Sequence, residues 1–592
     1  MNQTYLFVLS IGPVQDFISA ARRTRDLWFG SHLLSELART AARTLLADGA
    51  QLIFPSPENK DGVAENSGFP VANVVLVEIP SENKHSPLQL ADRCMEAVQA
   101  RWLKFAEEAY SEAQRRSRGS VTDSIWQEQA RDVIETFAAW VPLASADAYT
   151  SAHKRLMSLL AARKATRDFQ AAKGHWSVPK SSLDGARESV LALNLSPPQR
   201  CRLGLTEGEQ LDVVGLTKRL AGGRQSYPSV ARVAADPWLR EAASKHSEAL
   251  GRLCDATKPL VPTLISGVPE PHGHNPDYSN FPFDGTILFS NRHARIVDDA
   301  GLEPEQGDTQ LRRVKAALKE LVDVLGQPLS YLAVLAADGD QMGKTLNTLQ
   351  TADAHRKFSR KIARFAQEGG QVVKNYHGVT IYTGGDDVLA LLPVDGVLKA
   401  ARELREKFIE TVGQSAPPSE KPTLSIGLAI GHFMEPLEDL RAYAIAAEQH
   451  AKRPRRVDLD STDRNGVAVH VHPRSGADFS IRECWKEGAD SLDHRLKYWA
   501  GFFDQAKLPK GLPYEIRTLA DKFEGWSDAE ILALALPAEL RRILGRKQTK
   551  LDDVEKDWIE KRFDSVKEIN ALKALARELL VARWLAPHQT GD

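Results

Sequence analysis

The sequence predicts an α+β protein: two βαββαβ units, a helical and irregular insertion, and a C-terminal helical bundle. Three observations carry this expectation. Two apolar runs, YLFVLSI at 5–11 and LSYLAVLAAD at 329–338, each head an alternation of strand-like and helix-like segments. A stretch rich in Gly, Pro and Ser separates them, over about 171–285. Beyond about residue 480 only helical periodicity remains, as in AEILALALPAELRRIL and EINALKALARELLVARWL.

The first run stops at Gly12-Pro13, and Val14, Phe17, Ile18 and Ala21 then recur at helical spacing. Gly30 is expected to divide this helical stretch in two. Gln51–Phe54 and Ala72–Ile79 read as strands, residues 86–170 as mostly helical and charged, and 303–326 as a further helix. The second unit starts at Pro328 with the strand that ends in Asp338. GDQMGKTLNTL begins a helix, and 352–376 forms a longer one. GVTIYTGGDDVLALLP reads strand–turn–strand, Val397–Val412 helix, TLSIGLAIGHF strand, Leu437–Lys452 amphipathic helix, and GVAVHVH a closing strand. That order is the ferredoxin-like, or palm, arrangement. The expected domains are a first palm over 1–115, with 285–325 as a candidate completion, and a middle domain over 116–284. A second palm over 326–475 and a bundle over 476–592 follow.

A chain of 592 residues exceeds one core, so two to four domains are expected. Lys+Arg of 77 against Asp+Glu of 78 gives a net charge of −1, so any nucleic-acid contact must be local. Cys94, Cys201, Cys254 and Cys484 lie far apart without a CxxC, which suggests neither a zinc ribbon nor a disulfide framework. A reducing cytoplasm fits such usage. The N-terminus lacks a basic leader and a cleavage site. No apolar run reaches the ~18 residues that span a bilayer, so no membrane role is expected.

The chemistry gathers in YTGGDDVLALLP. Gly384 and Gly385 are expected to supply the positive φ of a tight turn and to let a ligand approach the backbone. Asp386 and Asp387 open the next strand. In a βαββαβ sheet that strand runs antiparallel beside the first, which ends in Asp338, so three carboxylates converge with Asp340 close by. Converging carboxylates repel unless a cation joins them. Hard divalent ions take such oxygen ligands together with substrate phosphates. Gly-Gly and Asp-Asp are also ordinary turn chemistry, and it is the strand context that favours a nucleotide–metal site.

These stretches resemble the large polymerase/cyclase subunit of type III CRISPR effector complexes, in its Cmr (III-B) branch. SIGPVQDFISAARRTRDLWFGSHLLSEL is similar to that family's first palm. LAARKATRDF and GLTKRLAGGRQSYPSVARVAADPW are similar to its middle region. ADGDQMGK, YTGGDDVLALLP and SIGLAIGH are similar to its second, active palm. The resemblance implies that ATP is polymerised into cyclic oligoadenylate when a complex of Cmr-type subunits and guide RNA binds target RNA. It implies Mg2+ (or Mn2+ or Co2+) held by Asp338, Asp386 and Asp387. The ribose 3′-hydroxyl of one ATP would attack the α-phosphate of another. Lys452 follows the helix that carries a phosphate-contacting lysine in related GGDEF-type cyclases; a solvated helix end beside Arg453, Arg455 and Arg456 is the alternative. Ser425 is a candidate base contact beside the site. Many members open with an HD nuclease, but this chain begins at the palm and has no His-Asp dipeptide, so no HD activity is expected. The family's middle region often carries four cysteines on zinc. Only Cys201 remains near that place, so no structural zinc is expected.

Two other readings stand beside the enzyme: an ATP-binding scaffold that does not turn ATP over, and a stand-alone GGDEF-like cyclase. The intact Asp338, Asp386 and Asp387 favour the enzyme, while GGDDVL, the first palm and the helical tail argue against the stand-alone cyclase. GDQMGKT is one residue short of a phosphate loop, although Lys344 is placed either to touch a phosphate or to face solvent. His470 and His472 share one strand face, and, like His272 and His274, read as ordinary histidines without a third ligand. ARRTR at 21–25 offers either a solvated face or a contact to nucleotide or RNA. RRILGRKQTK at 541–550 reads as surface, RNA contact or subunit contact.

Overall fold

The computed structural model describes residues 3–586, apart from 66, 68, 70, 167–173, 223–226, 261–275, 294–295, 297–303, 415–420, 454–463 and 548. His272, His274, Arg455 and Arg456 lie outside the described residues. The first sheet contains β1 (Thr4–Gly12), β2 (Gln51–Phe54), β3 (Val74–Ile79) and β4 (Glu135–Leu143), in the order β2-β3-β1-β4 with antiparallel pairs throughout. Helices α1 (Thr24–Ala47) and α2 (Pro87–Arg116) complete a βαββαβ unit. β1 is buried on both faces, which is why its sequence is a continuous apolar run. Phe7, Leu9 and Ile11 enter the core beneath α1 and α2, while Leu6 and Val8 enter a second core beneath α3 (Tyr149–Ala165).

One sequence expectation changes here. Gly30 does not divide the helix: α1 runs unbroken through it, and the break falls earlier, between Ser19 and Thr24. A methyl group on Gly30 would stand 3.2 Å from Lys218 Cδ, so the glycine serves close packing. Residues 86–170 are mostly helical, as expected, and Glu135–Leu143 within them supplies the fourth strand. Segment 285–325, the candidate completion of this core, adds no strand among the described residues, but Ile287, Leu288, Val314, Leu318 and Leu321 lie in the same core as β1, the last three on a helix, Pro304–Leu325, that packs on Ser247–Thr257.

The second sheet has six strands, β5 (Tyr331–Asp340), β6 (Val379–Gly384), β7 (Asp387–Leu392), β8 (Thr423–His432), β9 (Gly466–His472) and β10 (Phe479–Cys484). Their order is β10-β9-β8-β5-β7-β6. Four of these strands, β6-β7-β5-β8 at one end of the sheet, repeat the order of the first sheet. α4 (Met342–Thr348) and α5 (Ala352–Asn375) follow β5, α6 (Val397–Thr411) follows β7, and α7 (Leu437–Lys452) crosses from β8 to its parallel neighbour β9. β10 lies in a stretch expected to be only helical. Five helices from Leu492 to Leu585 form the C-terminal bundle. β5 is again buried on both faces. Leu332, Val334 and Ala336 join the core shared with the first unit, and Ala333, Leu335 and Ala337 join the core shared with the bundle. Among the described residues no helix is long and apolar enough to cross a membrane.

Candidate functional site

The β6–β7 hairpin turns on Gly385 and Asp386, closed by the Gly384–Asp387 pair. Gly385 has φ +89°, which only glycine adopts freely. Gly384 does not share this conformation, contrary to the sequence expectation; it ends β6 at an ordinary φ. β7 pairs antiparallel with β5, Ala337 opposite Val388, so the next residues outward are Asp338 and Asp387. Ligand oxygens of Asp338, Asp386 and Asp387 lie within 4.8 Å of one another, the one such cluster among the described residues.

Gly339 makes this approach possible, and nothing in the sequence reading singled it out. A methyl group there would stand 2.7 Å from Asp386 Oδ2 and 2.8 Å from Met342 Cγ. Asp340 belongs to the support and not to the cluster. Fully buried, it accepts hydrogen bonds from Thr423 Oγ1 at 2.8 Å, Ser425 Oγ at 2.9 Å and the Asn465 backbone N–H at 2.8 Å. These bonds tie β5, β8 and the start of β9 together. Ser425 is also fully buried, and its hydroxyl is committed to Asp340 and to the Gly466 N–H.

Lys452 ends α7 with its ammonium against the Asp338 carboxylate and 2.6 Å from Glu448 Oε1. The structure thus carries it to the cluster and not into solvent. α7 can reach in because β8 has Gly427, where a Cβ would lie 2.0 Å from the Glu448 nitrogen. Glu448 read in the sequence as one more charge on an amphipathic helix, and no local signal marks it.

Burial pushes the Asp386 carboxyl up to about 6, with the nearby Asp338 charge adding to the effect. Asp387 is driven up as well, by burial and by the hydrogen bond it shares with Asp338. Burial would also raise Asp338, but the Asp387 and Lys452 hydrogen bonds outweigh it and hold Asp338 low. Without a cation the cluster therefore keeps protons it would lose in water. Three hard oxygen donors converging in this way fit a divalent ion.

A cavity of about 560 Å³ opens from Asp387 between the two sheet units. Trp28, His32 and Arg39 of α1 line one wall, and Gln367, Gln371 and Tyr382 the other. Trp28 stacks on His32 at 5.3 Å and on Tyr227 at 5.0 Å.

Other candidates are drawn elsewhere. Arg22, Arg23 and Arg25 grip backbone carbonyls: Arg22 that of Ser182 at 2.9 Å, Arg23 that of Gly204 at 2.6 Å, and Arg25 those of Arg219 at 2.8 Å and Ala221 at 2.7 Å. They fasten the start of α1 to the insertion. Lys344 is exposed on α4. His470 bonds His450 at 2.9 Å, and His472 bonds Asp478 at 2.9 Å. Arg541, Arg542 and Lys547 pair with Asp564, Glu539 and Glu515 of the bundle.

Two sheets of one topology, with an acid cluster on the second, define a double-palm protein. Residues 331–465 match the family model for Cas10/Cmr2, second palm domain, and residues 6–107 the model for CRISPR-associated protein Cmr2, N-terminal. The chain thus carries an N-terminal domain and a second palm domain of the Cas10/Cmr2 type. The Cmr2 subunit of the CRISPR Cmr system of Pyrococcus furiosus is 35% identical over 156 residues, which cover 21% of this chain and 18% of that one. The aligned part thus spans under a fifth of that relative's length. The fold is shared with a type III-B Cmr-beta structure bound to cognate target RNA (TM-score 0.66, 13% identity, 99% of this chain and 83% of that one). It is also shared with the apo state of Cmr-beta (TM-score 0.65, 14% identity, 94% and 78%).

Proposed function

We propose that this chain is the large subunit of a cytoplasmic type III CRISPR effector complex, and that its second palm joins ATP into cyclic oligoadenylate. Its partners are other Cmr-type subunits, guide RNA and the target RNA whose binding turns the palm on. The observation that carries this reading is the convergence of Asp338, Asp386 and Asp387 within 4.8 Å, with Lys452 against them and a nucleotide-sized cavity opening from Asp387.

Asp338, Asp386 and Asp387 are the residues to hold Mg2+, Mn2+ or Co2+. Such an ion lowers the cost of gathering negative charge on the ribose oxygen and the phosphates. Lys452 brings a flexible positive charge to the same place for a phosphate oxygen. The bare backbone at Gly384 and Gly385 lets a phosphate come close. Trp28, His32 and Tyr382 line the cavity, so a base held there meets aromatic side chains. The ribose 3′-hydroxyl of one ATP loses its proton to solvent and its oxygen bonds to the α-phosphorus of another, while the bond from that phosphorus to the oxygen bridging to the β-phosphate breaks and pyrophosphate leaves. Repetition and a final intramolecular attack close the ring.

The test is ATP turnover with products resolved by mass. Four mixtures are compared: the chain, its complex, the complex with target RNA, and that mixture carrying Asp386→Ala and Asp387→Ala. Cyclic oligoadenylate is expected only in the third. ATP and metal binding without product would instead identify an ATP-binding scaffold. Product from the isolated chain would identify a cyclase independent of partners.

A further inference from the structure

Lys452 and Glu448 form a pair that the three aspartates alone do not require. They stand one helical turn apart on α7, the spacing at which side chains share a face. Lys452 touches Asp338 on one side and lies 2.6 Å from Glu448 on the other. Glu448 is only 9% exposed, and a carboxylate so buried is costly unless a cation compensates it.

The backbone beneath this pair is held at two points. Gly427 admits the Glu448 backbone, and Gly466 admits the Ala451 carbonyl, which would stand 2.2 Å from a Cβ at that position. The last turn of α7 is therefore pinned against β8 and β9. The four-carbon stem of Lys452 keeps its own rotamers. An ammonium and a divalent ion also repel each other when they meet at one carboxylate. One of them must give way at Asp338, and only the lysine stem is built to move.

We propose that Lys452 is the resident cation of this site, bound to Asp338 when no divalent ion is there. Glu448 is the positioning residue that keeps its ammonium beside the cluster once Asp338 is taken. The inference rests on the metal-site reading above. In the metal-loaded state Lys452 then pivots on Glu448 toward substrate phosphate and is not lost to solvent.

The experiment measures Mn2+ affinity of the full chain by the electron paramagnetic resonance signal of free Mn2+, without nucleotide. It compares wild type, Lys452→Met, Glu448→Gln, the double variant, and Asp386→Ala with Asp387→Ala. Lys452→Met frees Asp338 and is expected to tighten Mn2+ about fivefold, the worth of one partly exposed ion pair. Glu448→Gln leaves Lys452 with Asp338 alone and is expected to weaken Mn2+ about fivefold. In the Lys452→Met background the same change is expected to shift affinity by less than about twofold, because a buried Glu448 without its cation goes neutral.

Equal effects of Glu448→Gln in both backgrounds would overturn the proposal, since Glu448 would then act on the ion directly. Glu448→Met, of similar volume, must reproduce Glu448→Gln, and melting curves report that each variant is folded. If wild type binds no Mn2+, or Asp386→Ala with Asp387→Ala still binds it, the metal-site reading itself fails. If only the cycle is additive, the role of Glu448 alone fails.

Discussion

Gly339 sets the distance between β5 and the hairpin turn, so it governs the acids without being one. In Gly339→Ala the new methyl would meet the Asp386 carboxylate at 2.7 Å. Such overpacking costs about 1–3 kcal/mol, and here it is relieved by moving Asp386 out of the cluster. Mn2+ affinity is expected to fall on the order of tenfold with every acid still present. Unchanged affinity would mean that Asp386 is not held from below. Asp338, Asp386 and Asp387 were legible in the sequence because acids at the ends of apolar strands have no packing reason to be there. Lys452 was legible only through resemblance. Glu448 and Gly339 were not, since an acid on a polar helix face and a glycine before a helix fit many contexts.

At the level of elements, the site depends on how closely α7 lies on the second sheet. Gly427 is the contact point, where an added Cβ would come within 2.0 Å of the Glu448 nitrogen. Gly427→Ala must push the helix off β8, and is expected to cost about 3 kcal/mol, near the upper end for overpacked sites. The unfolding midpoint reads this as a clear drop, together with weaker Mn2+ binding, whereas a purely local strain would lower stability alone. The buried strands β1, β5 and β8 were readable as apolar runs. β4 and β10 were not. β4 pairs only with β1, so it tolerates Pro142, and its mixed burial hides the alternation. β10 is an edge strand with every residue half-buried, which leaves no pattern of apolar and polar faces.

Across the whole molecule, the two palms meet through more than the cavity. Tyr149 of α3 bonds His355 of α5 at 2.5 Å, and His153 stacks edge-on to His355 at 4.8 Å. Burial holds both histidines below the ordinary range, His153 at about 4, where the neighbouring His355 imidazole adds to the effect. The unfolded chain binds protons there from about pH 6.5 downward, while folded His153 does so only near 4. Its contribution to stability therefore rises with pH through that window and is lost as pH falls through it. His153→Gln is expected to lose less melting temperature than wild type between pH 7 and 4. Parallel pH profiles for the two proteins would show that this contact does not sense protons. Taking the difference between them cancels the opposite slope of the buried aspartates.

The sequence by itself determined the elements that a core enforces from both sides: the strand-led palms, the helical tail, and the acids at the tip of an apolar hairpin. Burial on two faces requires continuous apolar runs, and such runs are visible without coordinates. Only the tertiary structure decided which charges meet. Arg22, Arg23 and Arg25 found carbonyls of a segment far along the chain, Ser425 and Asp340 turned inward to bond each other, and Lys452 came to rest between Asp338 and Glu448. A charged side chain is equally at home in water or beside a partner. Its role is settled by close approach of backbones, here at glycines, and that is a property of the folded chain.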